Sequence, residues 1–480
     1  MAFPQSIRRL ALALAVSFCA SIGQSQPDFL INATPVASPA PDPAIARALQ
    51  TIQPDQIEKT IQTLVGFGTR NTLSSMEKDL PPGQGINAAA DWVAGQFAQI
   101  SKQCGSCLEI HRDTFTEPVA ERIPQPTTIT NIYAILRGSD PAQAKRMVLV
   151  TGHYDSRNTN VLDTRGAAPG ANDDASGVAV SLECARALSK LHLPATVVFV
   201  AVAGEEQGLN GSSHLATLAK SEGWQLEAVL NNDIVGGNTT PGDTFQLKDR
   251  VRVFSEGVPA AAAPEQARRI RALGEENDSS SRQLARSIAD TARTYFPKRK
   301  GTQFSAFLVN RPDRYLRGGD HTSFNREGFA AVRFTEWRED FNHQHQNIVR
   351  PPAGSSDPIL GDLIQFVDFN YVANVARLNA ATLATLASSP GQPAKVTIVT
   401  KNLENGTTLY WEAPQGAGAN FHYELLWRET TASDWQFSKV VDAPADGSPV
   451  TITVPISKDN VFFGVRTVDA AGHRSLVVVP

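Results

Sequence analysis

Val148-Leu-Val-Thr-Gly-His-Tyr-Asp-Ser156 decides how this chain is read. An apolar run of strand length stops at a glycine, and a histidine and an aspartate stand where the chain turns. Three stretches of similar build follow before Gly237: Asn172-Asp-Asp-Ala-Ser-Gly177, Gly204-Glu-Glu-Gln-Gly208 and Asn231-Asn-Asp233. A second apolar run, Thr196 to Val202, feeds the Gly204 motif. In open α/β sheets the ligand crevice lies outside the carboxyl ends of the strands, so polar residues that end several strands converge there. One imidazole and several carboxylates at one point make a hard, oxygen-rich site for one or two divalent metals. Singly, each motif is ordinary, because Asn, Asp and Ser cap helices and adjacent glutamates usually sit on a solvated face. Four of them in one span favour a site.

Strands at Ile110–Phe115, Thr130–Leu136 and Met147–Thr151, a helix at Ser176–Leu191 and the Thr196–Val202 strand alternate in the way of an α/β fold. Helical spacing covers Ile57–Val65 and Ile86–Ile100, the latter after the Pro81-Pro-Gly83 break. The expected architecture is a mixed, largely parallel sheet flanked by helices. His153 and Asp155 are two residues apart at a strand end and project to the same side, which places Asp155 to orient the imidazole. Glu205 and Glu206 diverge, so one can bind metal while the other faces an attacking water.

His-Tyr-Asp-Ser, Asn-Asp-Asp-Ala-Ser-Gly, Gly-Glu-Glu-Gln-Gly-Leu-x-Gly-Ser and the later Asp233, in this order, resemble the zinc-dependent aminopeptidases of peptidase family M28. The resemblance covers roughly Gln56 to Ala384. It implies the zinc-exopeptidase fold, with two Zn²⁺ per chain. It also implies His153 on one metal, Asp173 bridging both, Glu206 and Asp233 completing the carboxylates, and Glu205 as general base. A cis peptide after the bridging aspartate, Asp173-Asp174, is implied too. The resemblance calls for a second histidine beyond a strand ending in an acidic residue, here Ala330–Thr335 and Glu336. The stretch Asp340-Phe-Asn-His-Gln-His345 offers His345, which the spacing favours, and His343. His321, in Gly318-Gly-Asp-His-Thr-Ser-Phe324, matches a segment near the site that does not ligate.

Activity follows as hydrolysis at peptide or protein N-termini, with carboxypeptidase and glutaminyl-cyclase-like chemistry on the same fold as alternatives. A non-catalytic peptide-binding protein is a third. Arg157 and Arg165 are the arginines that could receive a substrate carboxylate. Net charge is −4, which offers no basic footprint for nucleic acid.

Arg8-Arg9, the apolar run Leu10–Cys19 and the small residues after it read as a signal peptide over residues 1–23, so a secreted protein, extracellular or periplasmic, is expected. No segment is long and apolar enough to span a bilayer. Residues 24–45, rich in Pro, Ala and Ser, read as a linker or short pro-segment, and the peptidase domain is set at residues 46–388. Cys104-Gly-Ser-Cys107 in an exported chain favours a small structural disulfide, and Cys184 reads as a buried small hydrophobe. Lys298-Arg-Lys300 reads as solvated surface. A long helix is expected over Ile359–Ala387, ending at the cluster Ser388-Ser-Pro-Gly-Gln-Pro393. Period-two strands then run from Lys395 to Asp469 over residues 394–480, an all-β sandwich that resembles a fibronectin type III module, with protein or surface polymer as its expected partner.

Overall fold

A computed structural model describes residues 26–297, 303–401, 403–416, 418 and 420–480. The signal-peptide stretch and the Lys298–Lys300 triplet lie outside the described residues.

The strands are β1 (Thr34–Pro35), β2 (Leu108–Glu117), β3 (Thr127–Leu136), β4 (Arg146–His153), β5 (Thr196–Val202), β6 (Gln225–Asn232), β7 (Arg250–Ser255), β8 (Ser305–Val309) and β9 (Ala331–Thr335). The C-terminal part adds β10 (Ala394–Ile398), β11 (Thr407–Glu412), β12 (Phe421–Glu429), β13 (Phe437–Asp442), β14 (Val450–Val454) and β15 (Val461–Asp469). The first helices are α1 (Pro43–Leu49), α2 (Pro54–Gly66), α3 (Gly85–Gln103), α4 (Ala175–Leu188) and the single turn α5 (Glu205–Gly208). They are followed by α6 (Asn210–Ser221), α7 (Pro264–Leu273), α8 (Ser280–Tyr295), α9 (His321–Arg326) and α10 (Phe369–Ser388).

One eight-stranded sheet runs in the order β2-β3-β5-β4-β6-β9-β7-β8. Its centre is parallel, β4 lying between β5 and β6, and β6 beside β9, while β3 and β7 join antiparallel to β5 and β9. The central strands β4 and β5 are buried along their whole length, as expected of strands covered on both faces. Helices α2, α3, α4, α8 and α10 close one face, with Phe97, Leu182 and Val375 in its core, and α6 and α9 close the other through Leu215 and Phe324. Asp174 caps α4 by accepting from Gly177 N, and its other oxygen accepts from His153 N, which fastens the start of α4 to the end of β4. Gly152 and Gly177 make that approach: a Cβ on Gly152 would stand 2.5 Å from the Gly177 carbonyl carbon.

The helix expected over Ile359–Ala387 is shorter in the structure, starting at Phe369. Asp368 caps it by accepting from Asn370 N and Tyr371 N, and the chain before it is drawn off to bridge Val349 and to place Asp362 at the site. The linker-like segment also proves structured: Thr34–Pro35 pairs with Ser438 and Phe437 at the edge of the C-terminal sheet, and α1 begins at Pro43. A proline is accommodated there because an edge strand leaves one side of its backbone unpaired. Residues 394–480, joined by β1, form two antiparallel sheets, β1-β13-β12-β15 and β10-β11-β14, over one core of Leu409, Trp411, Tyr423, Trp427 and Phe463. Cys104 and Cys107 are bridged and Cys184 is buried.

Candidate metal centre

The four motifs converge at the carboxyl ends of three neighbouring strands. His153 is the last residue of β4, Glu205 and Glu206 open the turn after β5, and Asp233 follows β6. The loop Ala168–Asp174 brings Asp173 between them, and the 340s loop brings His345 across. The peptide bond Asp173–Asp174 is cis. Leu209, Ile234 and His345 have φ of 63°, 59° and 58°, a left-handed backbone in non-glycine residues immediately around the motif side chains. Such strain persists where surrounding structure enforces it, and it gathers at functional sites.

Two clusters of donor atoms result, His153–Asp173–Asp233 and Asp173–Glu206–His345, each within 4.8 Å and sharing Asp173. His153 Nε2 lies 3.1 Å from Asp173 Oδ1 and 3.9 Å from Asp233 Oδ1. His345 Nε2 lies 2.9 Å from Asp173 Oδ2 and 3.0 Å from Glu206 Oε1. Asp173 thus turns one oxygen to each cluster. His343 goes elsewhere: it stacks on Phe366 with ring centroids 3.7 Å apart, and its Nδ1 faces Asn238 Oδ1. Between the two histidines left open by the sequence, the geometry brings His345 into the cluster. His321 is also turned away, donating from Nε2 to Pro312 O at 2.7 Å.

Outer residues hold these groups. His153 Nδ1 is 3.1 Å from Asp155 O and 3.5 Å from Asp155 Oδ1, and that carboxylate also accepts from Thr72 Oγ1 and Glu206 N. Asp362 accepts from Asn172 N and Asp173 N at 2.8 and 2.7 Å. Sequence reasoning placed Asp362 inside a helix and missed this role. Gln344 Nε2 donates to Asp173 Oδ2 at 3.0 Å. Arg165, by contrast, is taken up by Glu77 and Asp79.

The electrostatics are those of crowded anions. Burial and neighbouring carboxylates raise Asp174 and Glu205 well above the ordinary carboxylate range. Burial first, and then Asp233 and Asp155, push Asp320 up to about 7. Burial opposes charge on His345, yet Glu206 and Asp173 lift it to about 10. Against burial, His345 and His153 hold Asp173 well below the usual range.

Residues 131–356 match the family described as "Peptidase family M28". A probable zinc metalloprotease of Pyricularia oryzae is 43% identical, the match covering 93% of this chain and 86% of the relative. Another, of Leptosphaeria maculans, is 42% identical over 92% of this chain and 98% of its own. The chain belongs to peptidase family M28. Among solved structures it resembles the LapA aminopeptidase of Legionella pneumophila (18% identity, TM-score 0.48, 72% of this chain and 74% of that one). It also resembles a glutaminyl cyclase of Porphyromonas gingivalis (18% identity, TM-score 0.45, 69% and 98%).

Zinc, the metal in the names of those relatives, fits the residues present. His153 Nε2 and Glu206 Oε1 are buried without a hydrogen-bond partner among the described residues, and both belong to the clusters. Buried polar atoms in native proteins are normally paired, so these two point to a ligand. Nitrogen and carboxylate oxygen are zinc donors.

Proposed function

We propose that this M28 chain is a secreted di-zinc exopeptidase that removes residues from peptide N-termini. The observation that carries the reading is the sharing of Asp173 between two three-residue donor clusters. In it, His153, Asp173 and Asp233 would hold one zinc, and Asp173, Glu206 and His345 would hold the other. Paired zinc ions supply Lewis acidity and a water of lowered pKa.

The rest is the work of the chain. Glu205, half-buried on the first turn after β5 and next to the ligand Glu206, takes a proton from the attacking water and delivers it to the leaving amine. Asp155 keeps His153 oriented, and Asp362 fixes the Asn172–Asp173 backbone so that both Asp173 oxygens stay directed. Carboxylates outnumber cationic groups around the clusters, which suits a substrate's α-ammonium. The exposed Tyr315, Leu316 and Phe341 lie on the loops that lead into Gly319 and His343.

A panel of aminoacyl and N-blocked chromogenic substrates tests the activity: turnover confined to free amino termini is expected, and cleavage of the blocked compounds overturns it. Export is supported by the Cys104–Cys107 bridge, since disulfides persist in oxidising compartments. Recovery from culture medium of a chain beginning after residue 23 is the expected result. The C-terminal sandwich is read as a fibronectin-type module that binds protein or surface polymer, checked by retention of the full chain on such polymers.

A further inference from the structure

The two clusters are built from matching parts, but they are backed by groups of opposite charge. On the first, His153 leans its Nδ1 on Asp155, at 3.1 Å from the carbonyl and 3.5 Å from the carboxylate. On the second, His345 turns its Nδ1 to Arg157 Nη2 at 2.7 Å. The same guanidinium places Nε 3.1 Å from Glu206 Oε2, the oxygen not offered to the cluster. One arginine therefore touches both non-bridging members of the second cluster.

The first cluster has its own arginine. Arg333 Nη1 lies 2.7 Å from Asp233 Oδ2, again the outer oxygen. That guanidinium is fully enclosed, with Gly318 O and Asp313 as further neighbours. Arg157 is different, because one-fifth of its side chain is exposed toward solvent. Arg333 is a fixed part of the wall and Arg157 stands at its edge.

From this asymmetry we propose that Arg157 is a positioning residue whose charge weakens and tunes metal binding at the Glu206–His345 end of the centre. The proposal rests on the two-metal reading given above. Ligating histidines usually donate their second nitrogen to a carboxylate or carbonyl, which raises ligand basicity, and His153 follows that pattern. Arg157 does the reverse. A guanidinium has donors and no acceptor, so it cannot receive a hydrogen bond from a proton on Nδ1 of His345. A ligand bonded through Nε2 needs its proton on Nδ1, so this end loads only when the guanidinium leaves His345. Arg157 also draws electron density from Glu206 through Oε2, and its positive charge opposes a dication. All three effects have one sign. Removal of the charge should tighten binding, where loss of an ordinary outer partner loosens it.

The test is zinc titration of the metal-stripped full chain against a chromophoric chelator, which reads metal affinity without substrate. The wild type should take two zinc ions, one more weakly. Arg157→Gln should bind the weaker ion at least about tenfold more tightly, opposite in direction to the 10–100-fold losses usual for removing outer partners. Arg157→Lys, which keeps the charge, should retain the wild-type affinity. Arg157→Met, which keeps the stem, carries the same expectation as the glutamine variant should that one fail to fold. Unchanged or weakened binding in the neutral variants overturns the proposal. Tightening in the lysine variant overturns it too, by assigning the effect to the fork's contacts. A wild type that takes one zinc at every concentration instead removes the two-metal reading, and this inference falls with it.

Discussion

The cleft and the junction between α8 and the C-terminal sandwich both bury many charges, yet they end with opposite accounts of them. At the junction Asp278 lies 2.9 Å from Arg286 and 2.6 Å from Arg428. Glu424 takes Arg466 at 2.6 Å and Arg474 at 3.2 Å, while Arg293 reaches Asp434 at 3.0 Å. Carboxylate and guanidinium meet one to one or two to one, with Trp435 Nε1 donating to Gln283 beside them. In the cleft the match fails. His153 Nε2, Glu206 Oε1 and both oxygens of Asp320 lack hydrogen-bond partners among the described residues. The junction leaves buried atoms open as well, Arg428 Nε and Arg474 Nε among them, but these belong to guanidiniums already paired with Asp278 and Glu424, whereas in the cleft carboxylate oxygens are left open. Buried charges are normally paired or coordinate metals, so unmatched carboxylates suit a bound cation.

The comparison breaks hardest at Glu205. If it is the base and Glu206 a ligand, Glu205→Gln should lower kcat by about 10²–10⁴, the usual worth of general acid–base catalysis, while zinc content stays at the wild-type level. Substrate affinity should change less, since the lost interaction belongs to the transition state. Glu206→Gln should lose metal first, and excess zinc should restore part of the rate. Elemental analysis beside kcat separates the two. A metal-depleted Glu205→Gln with a loaded Glu206→Gln exchanges the roles, and unchanged rates in both remove the site.

At the junction the corresponding change is Asp278→Asn. It leaves Arg286 and Arg428 buried against a neutral group, and breaking a buried pair from one side typically costs about 3–5 kcal/mol. The melting temperature should drop, and protease should cut near Gly391, where the chain crosses between the parts, while the released peptidase part keeps zinc. A variant as stable as wild type would mean that the paired charges contribute little, and that apolar burial around Leu476 and Trp435 holds the junction.

What the sequence disclosed tracks the range of the interactions. The meeting of His153, Asp173, Glu206 and Asp233 was legible because each sits where a local pattern ends, an apolar strand meeting a glycine or a cap. The C-terminal strands were legible by alternation, except β13, whose Ser-Lys-Val-Val-Asp alternates poorly because Lys439, Val440 and Asp442 are all exposed. Helix α7 carried a local signature that went unread, Pro264 at its first turn and Gly274 in the left-handed conformation after its last. Other features had no local signature. Thr34 meets Ser438 across most of the chain, Asp362 reaches Asn172 and Asp173, and Arg333 reaches Asp233 from the next strand. The choice of His345 over His343 needed a backbone bend at His345, with φ 58°, that residue spacing does not encode.

A smaller effect is expected at the Cys104–Cys107 bridge, which belongs to neither region. Its loop is so short that the loop-entropy account assigns it only about 1–2 kcal/mol. Replacing both cysteines by serine should lower the melting temperature slightly and leave the zinc content and kcat unchanged. Two free thiols found by mass spectrometry of the native, non-reduced protein would remove the bridge itself.

The smallest effect tests whether the junction can be loosened by pH alone. His473, in the turn after β15, sets Nδ1 2.7 Å from Asp469 Oδ2 and Nε2 3.3 Å from Asp42 Oδ2. Asp42 caps α1 by accepting from Ala44 N and Ile45 N, so the imidazole ties the N-terminal segment to the sandwich. Burial opposes charge on His473, but Asp469 and then Asp42 outweigh it and raise its pKa above the ordinary histidine value. A raised folded-state pKa means that the stabilisation is fully present below about 6.5, the unfolded value, and is lost as pH rises through the folded one. Stability of the wild type relative to His473→Gln should therefore be greatest in mild acid and fade toward alkaline pH. The difference should stay near or below about 1 kcal/mol, the scale of ion pairs open to solvent on one side. Thermal melts of both proteins at matched pH values above and below 6.5 would show it. Parallel curves would mean that His473 stays neutral in the fold, and that Asp42 is held only by its helix cap.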